Sequence, residues 1–120
     1  MDDRAYFEAV FAVVRQIPSG NVMSYGQVGV EAGGVSPRIV GWAMANALDG
    51  DVPWQRVVGS DGYLRIGRRS LQLQDLQRRM LEREGVAFLD NGCVDMSRHQ
   101  VDAIATVVPE ASSTTSTAIR

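Results

Sequence analysis

The chain has 120 residues, of which 45% are hydrophobic and 22% are charged, and its formal net charge is −2. This length suits one soluble domain, and the charge gives no overall attraction to nucleic acid. No apolar run approaches the ~20 residues that a membrane helix needs, and the N-terminus lacks the basic start and apolar core of a signal peptide. We therefore expect a cytoplasmic protein with no membrane partner.

The chain has few residues of the types that bind transition metals. The single cysteine, Cys93, excludes an internal disulfide, and together with the single histidine, His99, it leaves little to hold a transition metal. We expect no metal and no other cofactor. All twelve basic residues are arginines, and seven of them lie within residues 56–83 against three acids, a local balance of +4. Such a segment can bind phosphates, although a solvated helix face gives the same pattern.

The first helix is predicted from hydrophobic spacing. Apolar residues recur three and four positions apart over residues 3–17, which is typical of an amphipathic helix. The turn-forming sequence of residues 18–21 ends it.

A pair of capped helices follows. Ser24 and Gln27 have the spacing of a capping box, which predicts a short helix over residues 25–32. Ser36 is a second N-cap for a helix over residues 37–48, in which we expect Trp42 to lie in the core. Two helices joined by a glycine-containing turn form the outline of a helix-turn-helix.

The sequence of the second half of the chain predicts a short β-hairpin and one long helix. Residues 52–58, VPWQRVV, enter a strand that turns back at residues 60–62. A helix over residues 71–84 places four apolar residues inward, and residues 86–89 form a closing strand. From Ser97 the periodicity fails, so we expect a domain over residues 1–96 and a disordered tail over 97–120. The inward residues of the helix are Leu73, Leu76, Met80 and Leu81.

Four sequence blocks then identify a family. Between residues 17 and 86 the chain contains, in this order, IPSGNVMSYGQV, SPRIVGWAMAN, VPWQRVVGSDG and LEREGV, and the match covers about residues 6–88. Their order and spacing resemble the DNA-binding domain of the alkylguanine-DNA alkyltransferases, most closely their Cys-less relatives, the alkyltransferase-like proteins. The resemblance implies a fold that is mainly α with a short β-hairpin, a single helix-turn-helix or winged-helix-like domain as in the C-terminal domain of those enzymes.

The same resemblance implies that catalysis is lost. The active transferases carry Pro-Cys-His-Arg-Val where this chain has PWQRV at residues 53–57. Trp54 offers no nucleophile in place of the thiolate, and Gln55 does not titrate in place of the base. Glu84 matches the acidic partner of that His and is expected to have nothing to orient. Residual alkyl transfer through Cys93 is an alternative, but no activating His or Lys lies close to it in the sequence.

The resemblance also implies the roles of several side chains. Trp54 and Val57 would line the lesion pocket, where the Trp stacks on a flipped base, although core packing is the ordinary role of a buried Trp. Tyr25 would assist base rotation, and Arg68 or Arg69 would contact the base. The pocket set is therefore Tyr25, Trp54, Val57, Arg68 and Arg69.

Arg38 carries an independent signal. It falls in the first turn of a helix, where the macrodipole disfavours a cation by about 0.3–1 kcal/mol. The resemblance gives it a function, insertion into the base stack in place of the flipped nucleotide, and a surface ion pair is the alternative. Serine hydroxyls and helix starts would contact phosphates, and the resemblance places the second helix of the pair in the minor groove. The expected DNA-contacting residues are Ser24, Tyr25, Gln27, Ser36, Arg38 and Ser60.

The expected function is non-enzymatic recognition of O6-alkylguanine in double-stranded DNA. The chain would act as a monomer, flip the damaged base and flag it for nucleotide excision repair proteins, as the resemblance implies. Two other functions stay open: a helix-turn-helix regulator that reads undamaged DNA in the major groove, and a residual alkyltransferase.

Overall fold

The computed structural model describes residues 3–48 and 50–102 and is mainly helical. The four predicted helices are present, each ending one to three residues earlier than predicted. The predicted caps Ser24 and Ser36 locate the starts of two helices through their side-chain oxygens, and Ser70 caps a third in the same way. The helices are α1 (Asp3–Val14), α2 (Tyr25–Glu31), α3 (Pro37–Ala45), α4 (Leu71–Arg83) and a short α5 (Met96–His99).

The strands pair differently from the prediction. β1 (Met23–Ser24) and β2 (Val57–Val58) form a two-stranded parallel sheet, with Met23 opposite Val57. The predicted hairpin is therefore wrong, although the turn is present and Gly59 N–H donates to the Tyr63 carbonyl at 2.9 Å. After the turn the chain enters a 3-10 turn, Arg65–Arg68. Both strands are buried, so each pairs inside the core with a segment distant in sequence.

Two hydrophobic clusters support the helix pair. One lies among α1, α2 and α3, and the other lies beneath α4. On α4 the prediction for Leu76 is wrong, because this residue is 38% exposed and Gln77 takes the buried position. Gln77 Nε2 donates to the carbonyls of Gln55 and Val57 at 3.0 and 3.1 Å. These bonds fasten the Trp54–Arg56 3-10 turn to α4.

The last described residues, 99–102, form a strap that closes the fold. Val22 N–H donates to the His99 carbonyl, and Val101 N–H donates back to the Val22 carbonyl. The His99 ring accepts from Ala87 N–H, so its Nδ1–H donates to the Gly20 carbonyl. The tail predicted from residue 97 is therefore wrong for residues 97–102, and its remainder, residues 103–120, lies outside the described residues. Within the described ranges, no helix is long and apolar enough to cross a membrane.

Candidate nucleic-acid interface

The α2–α3 pair forms one face of the molecule. Ser24 Oγ accepts from Gln27 N–H at 3.1 Å and Gln27 Oε1 accepts from Ser24 N–H at 3.0 Å, which completes the predicted capping box. Ser36 Oγ accepts from Ile39 N–H at 3.3 Å at the start of α3. Each helix start is thus capped by its own serine, which uses the N–H groups of Gln27 and Ile39, and Pro37 at the first position of α3 has no N–H.

Two adjoining cavities open on this face. The serine cavity, about 460 Å³, lies between the starts of α2 and α3 and the turn after β2. The arginine cavity, about 230 Å³, lies between α3 and the Arg65–Arg68 turn. Both contain Tyr25, Arg38, Gly41 and Arg65 in their walls; the serine cavity adds Ser24, Gly26, Pro37 and Ser60, and the arginine cavity adds Trp42, Ile66, Arg68 and Arg69.

Tyr25 lies at the junction of the two cavities. Its ring packs against α3 at Gly41, where an added Cβ would lie 3.5 Å from the ring. Burial raises the pKa of the Tyr25 phenol, and the positive charges of Arg65 and Arg69 partly oppose this rise. The phenol therefore stays protonated at neutral pH and can donate a hydrogen bond into either cavity.

The predicted Arg38 is exposed at the start of α3. Its guanidinium lies over the Trp42 ring, 5.2 Å from the ring centroid, one helical turn further along. The prediction that Trp42 lies in the core is wrong: it is 37% exposed. Position 42 faces away from α1 and α2, because Val40, Ala43 and Met44 form the buried side of α3.

Three arginines line the arginine cavity from the opposite side. Arg68 and Arg69 were both candidates for the base contact, and the structure brings both to the cavity. Arg65, which no sequence motif singled out, lines both cavities. Arg68 also lies over the Tyr63 ring at 5.9 Å. The surplus of arginines in residues 56–83 was the only sequence signal for Arg65.

The structure places Trp54 in the core. It is 5% exposed, and among the residues described it lines neither cavity; Val57, at 1% exposed, lines neither as well. Neither side chain therefore contributes to the walls of these two cavities, and their contact with a lesion stays a prediction. The physical reason is the 3-10 turn, which Gln77 holds against α4, so that the indole points into the apolar cluster shared with α1 and α3.

Glu84 organises a network directly beside this turn. Its carboxylate accepts from Gln55 Nε2 at 2.8 Å, from Arg56 at 3.0 and 3.1 Å, and from Gly20 N–H at 3.2 Å. The expectation that Glu84 has nothing to orient is wrong, because Gln55 provides a donor. Burial alone would raise the pKa of Glu84, but the hydrogen bonds from Arg56, Gln55 and Gly20 outweigh it and lower the pKa.

The remaining predicted contacts divide into two groups. Ser36 and Ser60 are exposed beside the helix starts, where they are accessible to phosphates. Gln27 is not, because its Nε2 donates to the carbonyls of Val101 and Asp102 and its Oε1 accepts from Ser24 and Gln100. Its amide therefore ties the strap to α2, and a DNA contact would require these bonds to break.

Other reactive side chains lie away from the cavities. Cys93 is buried in the turn after Asn91 and lines neither cavity. Within residues 3–48 and 50–102, no group of three or more His, Cys, Asp or Glu side chains could hold a metal ion. The cavities instead present guanidinium, phenol and hydroxyl groups, which bind anions and flat polar rings.

Known proteins are similar to this chain in sequence and in fold. The family model of the 6-O-methylguanine DNA methyltransferase DNA-binding domain matches residues 5–86. A DNA base-flipping protein of Vibrio parahaemolyticus serotype O3:K6 is 36% identical over 93 residues, covering 76% of this chain and 90% of that protein. The DNA base-flipping protein of Escherichia coli (strain K12) is 35% identical over 97 residues, covering 78% and 71%.

A solved structure extends the match to three dimensions. The crystal structure of S. pombe Atl1 in complex with damaged DNA containing O6-carboxymethylguanine superposes with a TM-score of 0.73 and 28% identity, over 85% of this chain and 99% of that one. The resemblance read from the four sequence blocks is confirmed. The chain belongs to the family of the 6-O-methylguanine DNA methyltransferase DNA-binding domain, in its alkyltransferase-like group.

Proposed function

We propose that this protein recognises alkylated guanine in double-stranded DNA by flipping the damaged base, and that it does so without altering it. The relatives described as base-flipping proteins and the Atl1 complex with damaged DNA support this function. The observation that carries it is the pair of cavities at the α2–α3 face, where one tyrosine and four arginines converge.

Each of these groups has a position that suits one step of DNA binding and base flipping. Arg38 is exposed at the start of α3, and its planar guanidinium fills the space that a flipped nucleotide leaves in the stack. Gly41 and Ala45 add little bulk to the exposed side of α3 on either side of Trp42, so that the helix can approach a minor groove. Ser36 and Ser60 hold the phosphates on either side, and the protonated Tyr25 donates to the rotating backbone.

Several features support recognition without catalysis. By the family resemblance, Trp54 stands where a transferase has its nucleophilic cysteine and Gln55 stands where it has the activating histidine. Gln55 donates to Glu84 at 2.8 Å, so it preserves a hydrogen bond of the network without a titrating group. Among the described residues, the walls of the two cavities contain no thiol, imidazole, amine or carboxylate. A lesion bound there meets no acceptor for its alkyl group.

The complex with a damaged base needs a further step, because the base is held and not repaired. A lesion that is bound but not repaired must be passed to another system, and nucleotide excision repair proteins are the partners that the family resemblance implies. We further propose that the protein acts as a monomer in the cytoplasm.

The test of lesion recognition compares two duplexes of identical sequence, one with O6-methylguanine and one with guanine at the central position. We expect the lesion duplex to bind at least about tenfold more tightly at the same salt concentration. Equal affinities would contradict the proposal. Selection from random undamaged duplexes is the companion measurement, because a preferred undamaged sequence would instead support a regulator.

The test of the missing chemistry is the intact mass of the protein. After incubation with O6-methylguanine DNA we expect no change in mass. A gain of one methyl group would identify a transferase, and Cys93→Ser would show whether the thiol had accepted it.

A further inference from the structure

A single glutamine connects α4 to the turn that carries Trp54. Of the two buried residues of α4, Gln77 and Leu81, only Gln77 is polar, and it is 1% exposed. Its Nε2 donates to the Gln55 carbonyl at 3.0 Å and to the Val57 carbonyl at 3.1 Å, so both of its N–H groups are used. Its Oε1 is also buried and accepts a hydrogen bond from none of the described residues.

This arrangement is costly for a residue that only fills space. A buried oxygen without a donor has lost its hydration and receives nothing in exchange. Methionine has about the same length and carries no such oxygen, so packing alone does not favour glutamine at position 77. The contribution that depends on glutamine is the pair of N–H groups that it holds against the turn.

The turn has few hydrogen bonds of its own. No side chain caps the start of the Trp54–Arg56 3-10 turn, and Pro53 precedes it with φ −77° and ψ 67°. These angles, with Trp54 N–H donating to the Val52 carbonyl at 2.7 Å, describe an inverse γ-turn. Two short turns in succession form little regular structure, so the carbonyl groups that Gln77 binds obtain a fixed orientation from α4.

The position of this turn affects the α2–α3 face. Val57, which accepts from Gln77, begins β2 and pairs with Met23 of β1. β1 ends at Ser24 and β2 leads to Ser60, and both serines line the serine cavity. By the family resemblance, the same turn stands where a transferase carries its reactive pair. Gln77 therefore holds, from the buried side, a segment that connects the core to this face.

We infer that Gln77 is a positioning residue for lesion recognition, because its two N–H groups set the conformation of the turn through which the protein distinguishes alkylated guanine from guanine. This inference rests on the proposed function and adds to it a residue that lines neither cavity. Loss of the two N–H groups should lower the preference for the lesion. It should leave the binding of undamaged DNA unchanged, since that binding depends on contacts with phosphates.

The first experiment measures the affinities of wild type and Gln77→Met for O6-methylguanine and guanine duplexes at one salt concentration. We expect the ratio of the two affinities to fall about tenfold, because methionine fills the space and donates no hydrogen bond. Leu81→Val is the matched control: Leu81 is a fully buried residue of α4 in the second cluster, so this variant loses packing without losing a hydrogen bond to the turn. Its ratio should equal that of wild type.

Two results of this experiment would overturn the inference. One is an unchanged ratio in Gln77→Met. The other is a parallel loss of both affinities, which is the result expected if Gln77 serves only the stability of the fold.

The wild-type protein provides a measurement that does not depend on a folded variant. Scalar couplings across the two hydrogen bonds, from Gln77 Nε2 to the carbonyl carbons of Gln55 and Val57, should be present in the free protein and in the complex with the lesion duplex. Their loss in the complex would overturn the inference, because a turn released from α4 on binding is not positioned by Gln77.

Fluorescence tests whether Gln77 acts through the turn. Trp42→Phe leaves Trp54 as the only tryptophan. In that background Gln77→Met should make Trp54 more accessible to quenching by acrylamide, since the indole is buried only while the turn is held on α4. Leu81→Val should leave the quenching unchanged. Loss of lesion preference without a change at Trp54 would contradict the inference.

These results distinguish two failures. If the wild-type protein binds both duplexes equally, the proposed function fails and the inference fails with it. If the wild-type protein prefers the lesion and Gln77→Met keeps that preference, only the role of Gln77 fails.

Discussion

At the scale of single residues, Glu84 holds together segments that are far apart in the chain. It connects Gly20, Gln55 and Arg56, and Arg56 Nη1 in turn donates to the Ile17 carbonyl at 2.7 Å. The side chains of Arg56 and Glu84 are 18% and 13% exposed, so the pair is shielded from solvent more than a surface ion pair. This network fixes the turn that carries Trp54.

Glu84→Gln tests this network through stability. We expect the free energy of unfolding at pH 7 to fall by about 2 kcal/mol, because the charged acceptor of several hydrogen bonds is lost. Chemical denaturation measures the change. Glu82→Gln is the control, since Glu82 forms an exposed pair with Arg78 at 3.2 Å, and removing that pair costs at most about 0.5 kcal/mol.

The stability that Glu84→Gln loses depends on pH in a definite direction. The pKa of Glu84 is lowered by folding from its ordinary value of 4.5, so its stabilisation is fully present above that pH. It is lost as the pH falls through the lower pKa of the folded state. The stability difference between wild type and Glu84→Gln should therefore shrink below about pH 4.5, and a constant difference at lower pH would contradict the network.

Tyr25 reports on the charges in the cavities. Burial raises its pKa above 10.0, while Arg65 and Arg69 lower it. Arg65→Gln should raise the pKa further, because one stabilising positive charge is removed from the phenolate. Ultraviolet titration, with Tyr25→Phe to identify the signal, measures it. Arg68→Gln should leave the pKa unchanged, and an equal effect of both variants would contradict the geometry.

At the scale of elements, the angle between α2 and α3 depends on one close contact. A Cβ added at Gly29 would lie directly on the carbonyl oxygen of Val35, in the turn that joins the two helices. The Gly29 carbonyl also accepts from the N–H groups of Gly34 and Val35, at 2.9 and 2.8 Å. The helices can therefore meet at this angle only with glycine at position 29.

Gly29→Ala should destabilise the protein by about 3 kcal/mol, because the turn must move to admit the methyl group. Thermal unfolding measures the effect. Gly26→Ala in the same helix is the control: its Cβ would meet only Ser24 Oγ, at 3.9 Å. That change should stabilise the helix by about 0.5–1 kcal/mol. Similar destabilisation by both variants would show that the contact with Val35 is not the cause of the lost stability.

At the scale of the whole molecule, positive charge is concentrated on one face although the net charge is −2. Arg38, Arg65, Arg68 and Arg69 all line the two cavities. Local concentration, and not total charge, is what attracts a phosphate backbone. The near-neutral composition was therefore a poor guide to the partner.

The salt dependence of DNA binding tests whether these clustered arginines contact phosphates. The logarithm of the affinity for duplex DNA should fall linearly with the logarithm of the salt concentration. Arg65→Gln should reduce that slope by about one, as one phosphate contact is lost. Arg15→Gln is the control, because Arg15 is paired with Asp51 at 3.2 Å and lines neither cavity. Equal slopes for wild type and Arg65→Gln would exclude a phosphate contact by Arg65.

Local sequence signals were sufficient to predict the helices and to identify the family. Caps such as Ser24 and Ser36 act on backbone groups within three residues, and apolar periodicity is a property of one helix, so both can be read without a fold. The ordered blocks identified the family, and with it the importance of Tyr25 and Arg38, which the structure brings together in both cavities.

Which residues line the cavities depends on contacts between distant parts of the chain. Trp42 and Trp54 are equally apolar, and which of them is buried depends on how α4 holds the Trp54–Arg56 turn. The parallel pairing of Met23 with Val57, the binding of Gln27 to Val101 and the placement of Arg65 join segments far apart in the chain. No local pattern encodes such contacts, because their energy exists only after the chain has folded.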